Sequence, residues 1–325
     1  MQGVVSVNEL INVVKYALTC CMGVKPSESV SIITDERMLE VAEAFYDAAI
    51  NLGCDPTVTK MIERPRHGAE PPDSVSHLME NSDIVVAVTS KSISHTNARR
   101  RACERGARVA SLPGISKDCA LRTLGADYEM IAKRTKKLSE ILTKGKSAHV
   151  ICPLGTDMYI SLENREGQSD AGELTENGAF GNLPAGEAFL APLEGKSCGR
   201  IVFASSVAGI GICSSPITLD VKEGFVKNIS GDEEARSLDE ILKPLGKNAY
   251  NIAELGIGTN DKAILSGSVL EDEKVFGTVH IALGDNVGFG GKINVPVHLD
   301  GIILKPDVYI DSELIIKSGE HLYNI

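Results

Sequence analysis

The chain has no tryptophan, and aromatic residues fill only 4% of its 325 positions, so its core has to be built from Val, Ile, Leu and Ala. Basic residues are also in deficit. Lys and Arg number 33 against 44 Asp and Glu, a formal net charge of −11. Nucleic acid is therefore not expected as a partner, because phosphate contacts need a basic surface. No stretch reaches the roughly 18 uninterrupted apolar residues of a membrane helix. The opening MQGVVSVNELINVVKYAL lacks the basic start and long apolar centre of a secretory signal. CxxC spacing is absent too. Cys20, Cys21, Cys54, Cys103, Cys119, Cys152, Cys198 and Cys213 are scattered, which predicts free thiols in a reducing cytoplasm and argues against a zinc-cysteine site. No GxGxxG or GxxxxGKS/T stands at a strand-to-helix turn, so neither common nucleotide site has support.

What remains is an ordinary globular composition, 43% apolar and 24% charged, on a chain long enough for two domains. Residues 1–145 alternate between strand-like and helix-like segments. SVSIIT (29–34), DPTVTKMI, DIVVAVT (83–89) and RVASLPG (108–114) read as strands. Between them, 36–53, 71–82 and 95–107 carry helical spacing, the first stopped by Gly53. This alternation predicts a doubly wound parallel sheet covered by helices, a Rossmann-like or flavodoxin-like α/β domain. A charged helix over 127–145 reads as a linker. From 146 to 325 the pattern changes to short β-rich runs broken by Gly, Asn and Asp turns, with 237–246 as the clearest helix. That predicts a strand-rich α+β second domain.

Metal-ligand residue types gather between Glu254 and Asp300. In VPVHLDGII (295–303), His298 and Asp300 stand two apart on a predicted strand, so both point to one face. An imidazole beside a carboxylate is half of a metal site. GTVHIALG (277–284) sets His280 in an apolar strand, where a hydrogen-bonded core histidine is the plainer reading. AELGIGTN (253–260) surrounds Glu254 with apolar neighbours, and a buried carboxylate needs a partner or a metal. Glu187, in the Gly/Pro loop NLPAGEAFLAP, reads by itself as a solvated acid. The run Glu271-Asp272-Glu273 reads as an exposed turn. Two histidines with an aspartate suffice for a mononuclear iron oxygenase. Added glutamates would suffice for a second ion and a two-metal hydrolase.

NLPAGEAFLAP, AELGIGTN, LEDEKVFGTVHIALG and VHLDGII resemble the thermophilic metallo-aminopeptidases of the aminopeptidase T and aminopeptidase S group. ITDERMLEVAEAF, DIVVAVT and SISHTNARRRACERGARVASLPG are in the style of that group's N-terminal domain. The resemblance implies divalent ions (Zn, Co or Mn) held by Glu187, Glu254, His280, His298 and Asp300, with Glu254 bridging. Glu273 or Glu187 would shuttle protons, Glu271 competing with Glu273 for the inward position. It also implies a homodimer acting on peptides or another small substrate. Two positions depart from the aminopeptidase pattern. Val287 replaces a tyrosine, and the His280–His298 interval is short.

The chain is also similar to the iron-dependent 2,5-dihydroxypyridine 5,6-dioxygenases. That likeness implies Fe(II) on His280, His298 and Asp300, with His95 facing the substrate. His95 reads equally as a residue at a helix start capped by Ser94 or Thr96. The expectation carried forward is a metal-dependent aminopeptidase-like hydrolase. The ring-cleaving dioxygenase is its first alternative and an inactive small-molecule binder its second.

Overall fold

The computed structural model describes residues 7–324, so the MQGVVS that opens the stretch weighed as a leader lies outside the described residues. The chain divides into two compact units. One takes in the described part of Met1–Glu129 with Asp170–Ala185. The other takes in Met130–Ser169 and the described part of Gly186–Ile325. The helix Tyr128–Lys144, read from sequence as a linker, falls almost wholly in the second unit. Among the described residues no helix is long and apolar enough to cross a membrane.

In the first unit a five-stranded parallel sheet runs in the order Asp55–Lys60, Ser29–Thr34, Ile84–Val88, Arg108–Ser111, Phe180–Asn182. Ile84–Val88 is buried at every position, as a parallel strand covered on both faces must be. Helix Leu39–Asn51 buries Val41, Ala42, Phe45, Ala48 and Ala49, the stripe that a 3.6-residue period puts on one side. Gly53 follows at φ 79°, the left-handed conformation that ends a helix at least cost for glycine. Four strands follow the local sequence pattern. The fifth returns from 170–185, and its three residues carry no periodicity long enough to predict.

In the second unit, an eight-stranded and a seven-stranded sheet share one apolar core among the described residues. Four antiparallel neighbours of the seven-stranded sheet matter most: Glu187–Leu190, Ile252–Gly258, Val279–Gly284 and His298–Ile303. One face of them sends Leu190, Leu255, Ile257, Val279, Ile281, Leu283 and Ile303 into the core, against Val150, Ile201 and Leu219 of the other sheet. Each such aliphatic contributes about 2 kcal/mol by leaving water. The fold class is thus α/β with a parallel N-terminal sheet, followed by a larger antiparallel, strand-rich region.

Candidate metal centre

The core claims one face of those four strands, and alternation gives the other face to a different set of residues. Directly paired residues share a face. Gly258 pairs with Glu187, Gly256 with both Phe189 and His280, Glu254 with Ala282, Ala282 with Asp300, and Gly284 with His298. Glu187, Glu254, His280, His298 and Asp300 therefore emerge from four adjacent strands onto one surface. Between them stand Gly258, Gly256, Ala282 and Gly284, which leave the space above the sheet open. The requirement is strict at Gly256, where an added Cβ would meet Nε2 of His280 at 1.9 Å.

The side chains converge. Nε2 of His280 lies 3.1 Å from Oε2 of Glu187 and 3.3 Å from Oε1 of Glu254. Nε2 of His298 lies 3.2 Å from Oε2 of Glu254 and 3.5 Å from Oδ1 of Asp300. His280 is fully buried and Glu187, Glu254 and Asp300 nearly so, whereas 31% of the His298 side chain is open to solvent. Nδ1 of His298 is 2.8 Å from the Asp285 carbonyl. A carbonyl only accepts, so Nδ1 carries the hydrogen, and in the neutral ring Nε2 is left with its lone pair facing the carboxylates.

The segment after Asp285 is anchored. Glu194 accepts from the Asn286 side chain at 3.1 Å and from the Lys292 backbone at 2.7 Å, and pairs with Arg165, which also donates to the Gly290 carbonyl. Phe289 of this segment stands edge-on to His298 at 5.7 Å and to Phe189 at 5.6 Å. Val287, at the departure from the aminopeptidase pattern, is exposed.

The acidic run at 271–273 corrects the sequence expectation of an exposed turn. Glu271 and Asp272 are fully buried. Oε1 of Glu271 accepts from the Ile264 backbone at 2.8 Å. Asp272 accepts from Ser206 Oγ at 2.5 Å, Ser266 N at 2.7 Å and Gly267 N at 2.9 Å. Glu273 is the member that joins the cluster, with donor atoms close to those of His280 and Asp300. Next to it is a residue that sequence reasoning passed over. Lys274 is fully buried, with Nζ 2.6 Å from Oε1 of Glu187 and 2.6 Å from Oε1 of Glu273. Its only signal was a lysine in a run read as surface.

Burial drives the Glu273 carboxyl up to about 8, with the charges of Glu187 and Asp300 adding to it and Lys274 opposing. Burial also pushes Glu187 up, but Lys274 and His280 outweigh it and hold that carboxyl below the usual range. For Asp300 burial is outweighed by His298, and the result is about 2. Burial works against protonation of His280 and His298, yet the carboxylates facing them hold both well above an ordinary imidazole.

Ligand atoms of Glu187, Glu254 and His280 lie within 4.8 Å of one another, as do those of Glu254, His298 and Asp300, and those of Glu273, His280 and Asp300. Two ring nitrogens thus face a surplus of carboxylate oxygens in a buried place. That imbalance suits a cation, and imidazole with carboxylate is a donor set for divalent metals. The cluster is able to hold a divalent metal ion.

The model of one protein family, 2,5-dihydroxypyridine 5,6-dioxygenase, matches residues 9–323. The chain belongs to this family. A 2,5-dihydroxypyridine 5,6-dioxygenase of Pseudomonas putida KT2440 is 26% identical over 203 residues, which span 58% of this chain and 57% of that enzyme. The structure of 2,5-dihydroxypyridine dioxygenase from the same organism has the same fold, with a TM-score of 0.84 over 98% of this chain and 99% of that one at 20% identity. Wild-type AmpT from Thermus thermophilus follows at 0.70, over 97% and 99%, with 16% identity. The expected likeness to the 2,5-dihydroxypyridine 5,6-dioxygenases therefore holds, and AmpT shares the fold.

The hydrolase expectation does not. The family match overturns the metallo-aminopeptidase reading in favour of its dioxygenase alternative. The misleading signal was the near-complete set of glutamates, which was read as ligands for a second ion. Two of them, Glu187 and Glu273, are bound to Lys274. His95 is exposed in the first unit, just before the helix Asn97–Glu104 that Thr96 caps by accepting from the Arg99 backbone.

Proposed function

We propose that this chain is a dioxygenase that opens a small hydroxylated N-heteroaromatic ring of the 2,5-dihydroxypyridine type, with a single Fe(II) held by His280, His298 and Asp300. The family match from residue 9 to residue 323 carries this reading. The donor chemistry supports it, since two imidazoles and one carboxylate are the set used by non-haem iron oxygenases. Asp300 shares a donor group with each histidine. When bound, such an iron supplies the one-electron chemistry needed to bring dioxygen to an aromatic diol.

The protein's part is to bind, orient and exclude water. The Asp285 carbonyl fixes the His298 ring and leaves Nε2 to the metal. Both imidazoles would have to be neutral to hold a metal. Glu254, placed between the two histidines, orients both. The open side of the cluster is at His298, and Phe289 with Phe189 forms an apolar edge there that suits a flat aromatic substrate. Glu273 and Glu187 are the candidates for holding a substrate proton. His95 stays a candidate for the same role, and unchanged turnover in His95→Ala would remove it. Free thiols at all eight cysteines support a cytoplasmic setting. A homodimer completes the proposal, checked by the mass in solution.

The test is iron content after anaerobic purification, together with oxygen uptake on 2,5-dihydroxypyridine and related ring diols. One iron per chain and matched consumption of oxygen and substrate are expected. Both should be lost in His298→Ala. Fully iron-loaded protein that consumes no oxygen with any of these diols would overturn the reading.

A further inference from the structure

The donor groups overlap in a way that leaves the number of ions open. Glu254 belongs to the first and second groups, His280 to the first and third, and Asp300 to the second and third. By residue type alone, two ions bridged by Glu254 have all the ligands they need. A residue outside those groups decides the matter. Lys274 is fully buried and donates from one nitrogen to Glu187 and to Glu273, at 2.6 Å in each case. Glu187 occurs in the first group alone and Glu273 in the third alone, so the second is the group that the lysine leaves untouched.

We propose that the Lys274 ammonium stands in for a second metal ion and restricts this centre to one. The inference rests on the metal-centre reading above.

The placement of Lys274 leaves it little freedom. Its backbone N–H donates to the Glu271 carbonyl at 2.9 Å, and its carbonyl accepts from the Asn260 backbone at 2.9 Å. A buried ammonium is costly to keep unless carboxylates surround it. Once surrounded, it claims lone pairs that an ion would otherwise take. Removing the ammonium frees the lone pairs of Glu187 and Glu273 for a second ion. The lysine thereby separates a one-metal centre from a two-metal one on the same sheet.

The experiment is titration of chelator-treated protein with Mn²⁺, reading stoichiometry by calorimetry and by elemental analysis after gel filtration. Wild type is expected to take up one ion per chain, and two would overturn the inference. Lys274→Met, verified as folded by circular dichroism, is expected to take up two. Lys274→Ala carries the same expectation should the methionine variant fail to fold. Lys274→Arg keeps the charge and should return the count to one. A folded Lys274→Met or Lys274→Ala that still binds one ion would overturn the proposal. The proposed ring cleavage fails separately, as a wild type that binds one ion and turns over no diol. A wild type that takes up no Mn²⁺ would remove the metal centre itself, and this inference with it.

Discussion

Gly256 lies directly across the sheet from His280, and the histidine ring occupies the space where any other residue would put its Cβ. Its backbone is not in the left-handed region, so the demand is purely for room. Gly256→Ala should force His280 out of place. We expect a stability loss of about 1–3 kcal/mol from overpacking, and metal affinity lower by roughly 10–100-fold from the misplaced ring. Thermal melts with and without added Mn²⁺ separate the two effects. An alanine variant with wild-type melting and wild-type metal uptake would show that the ring has another place to go.

Glu194 ties down the segment that carries Phe289 and holds His298 through the Asp285 carbonyl. Glu194→Ala removes the acceptor for Asn286 and Lys292 and leaves Arg165 without its carboxylate. Charged hydrogen bonds of this kind are worth about 1.5–3 kcal/mol each when a partner is stranded. Limited proteolysis should cut this variant within 285–297 much faster than wild type. Equal cutting rates would mean that the segment is held by its own packing.

Asp272 is fully buried and supports the turn at 266–268 through three strong acceptor contacts. Asp272→Ala strands the Ser266 and Gly267 amides, and a loss on the order of 3 kcal/mol is expected. The urea midpoint should fall accordingly. A midpoint unchanged from wild type would return this acid to the role of a surface residue that its sequence suggested.

His321 gives the pH dependence. It stacks on Phe276 at 4.2 Å and shares a 2.7 Å hydrogen bond with the Tyr323 hydroxyl. Burial, with Arg134 adding to it, lowers its pKa from 6.5 to about 4. The unfolded chain therefore takes up this proton first. The stabilising contribution is complete above about 6.5 and is lost as pH falls toward 4. Its size is on the order of 2 kcal/mol after allowance for the ring's remaining exposure. The melting temperature of wild type should fall more steeply between pH 6.5 and 4 than that of His321→Phe. Parallel profiles would assign the acid loss to other groups.

Local patterns made much of the fold legible. The strands at 29–34, 84–88 and 108–111 and the helices between them follow from apolar spacing and turn residues, because each is decided within a few neighbours. The strand Phe180–Asn182 was not legible, since its place beside Arg108–Ser111 is set across some seventy positions of chain. In the second unit, the two-residue step from His298 to Asp300 was enough to put both on one face, and the register confirms that face. What failed was burial of charge. Glu271, Asp272 and Lys274 look like solvent-facing residues one at a time, and only the folded arrangement supplies the partners that let them leave water. The mistaken hydrolase expectation came from the same blindness, because the lysine that occupies two of the acids could not be seen to do so.

The segment 285–297 joins Gly284 to His298, and those two residues face each other across the same pair of strands. Both of its ends are thus fixed by hydrogen-bond register, and Glu194 holds it between them. Changes beyond Asp285 leave in place the strand pairing that sets Glu187, Glu254 and His280. One stretch of chain thus carries both the aromatic edge at Phe289 and, at Asp285, the brace of a candidate metal ligand, so a change of shape at one is felt at the other.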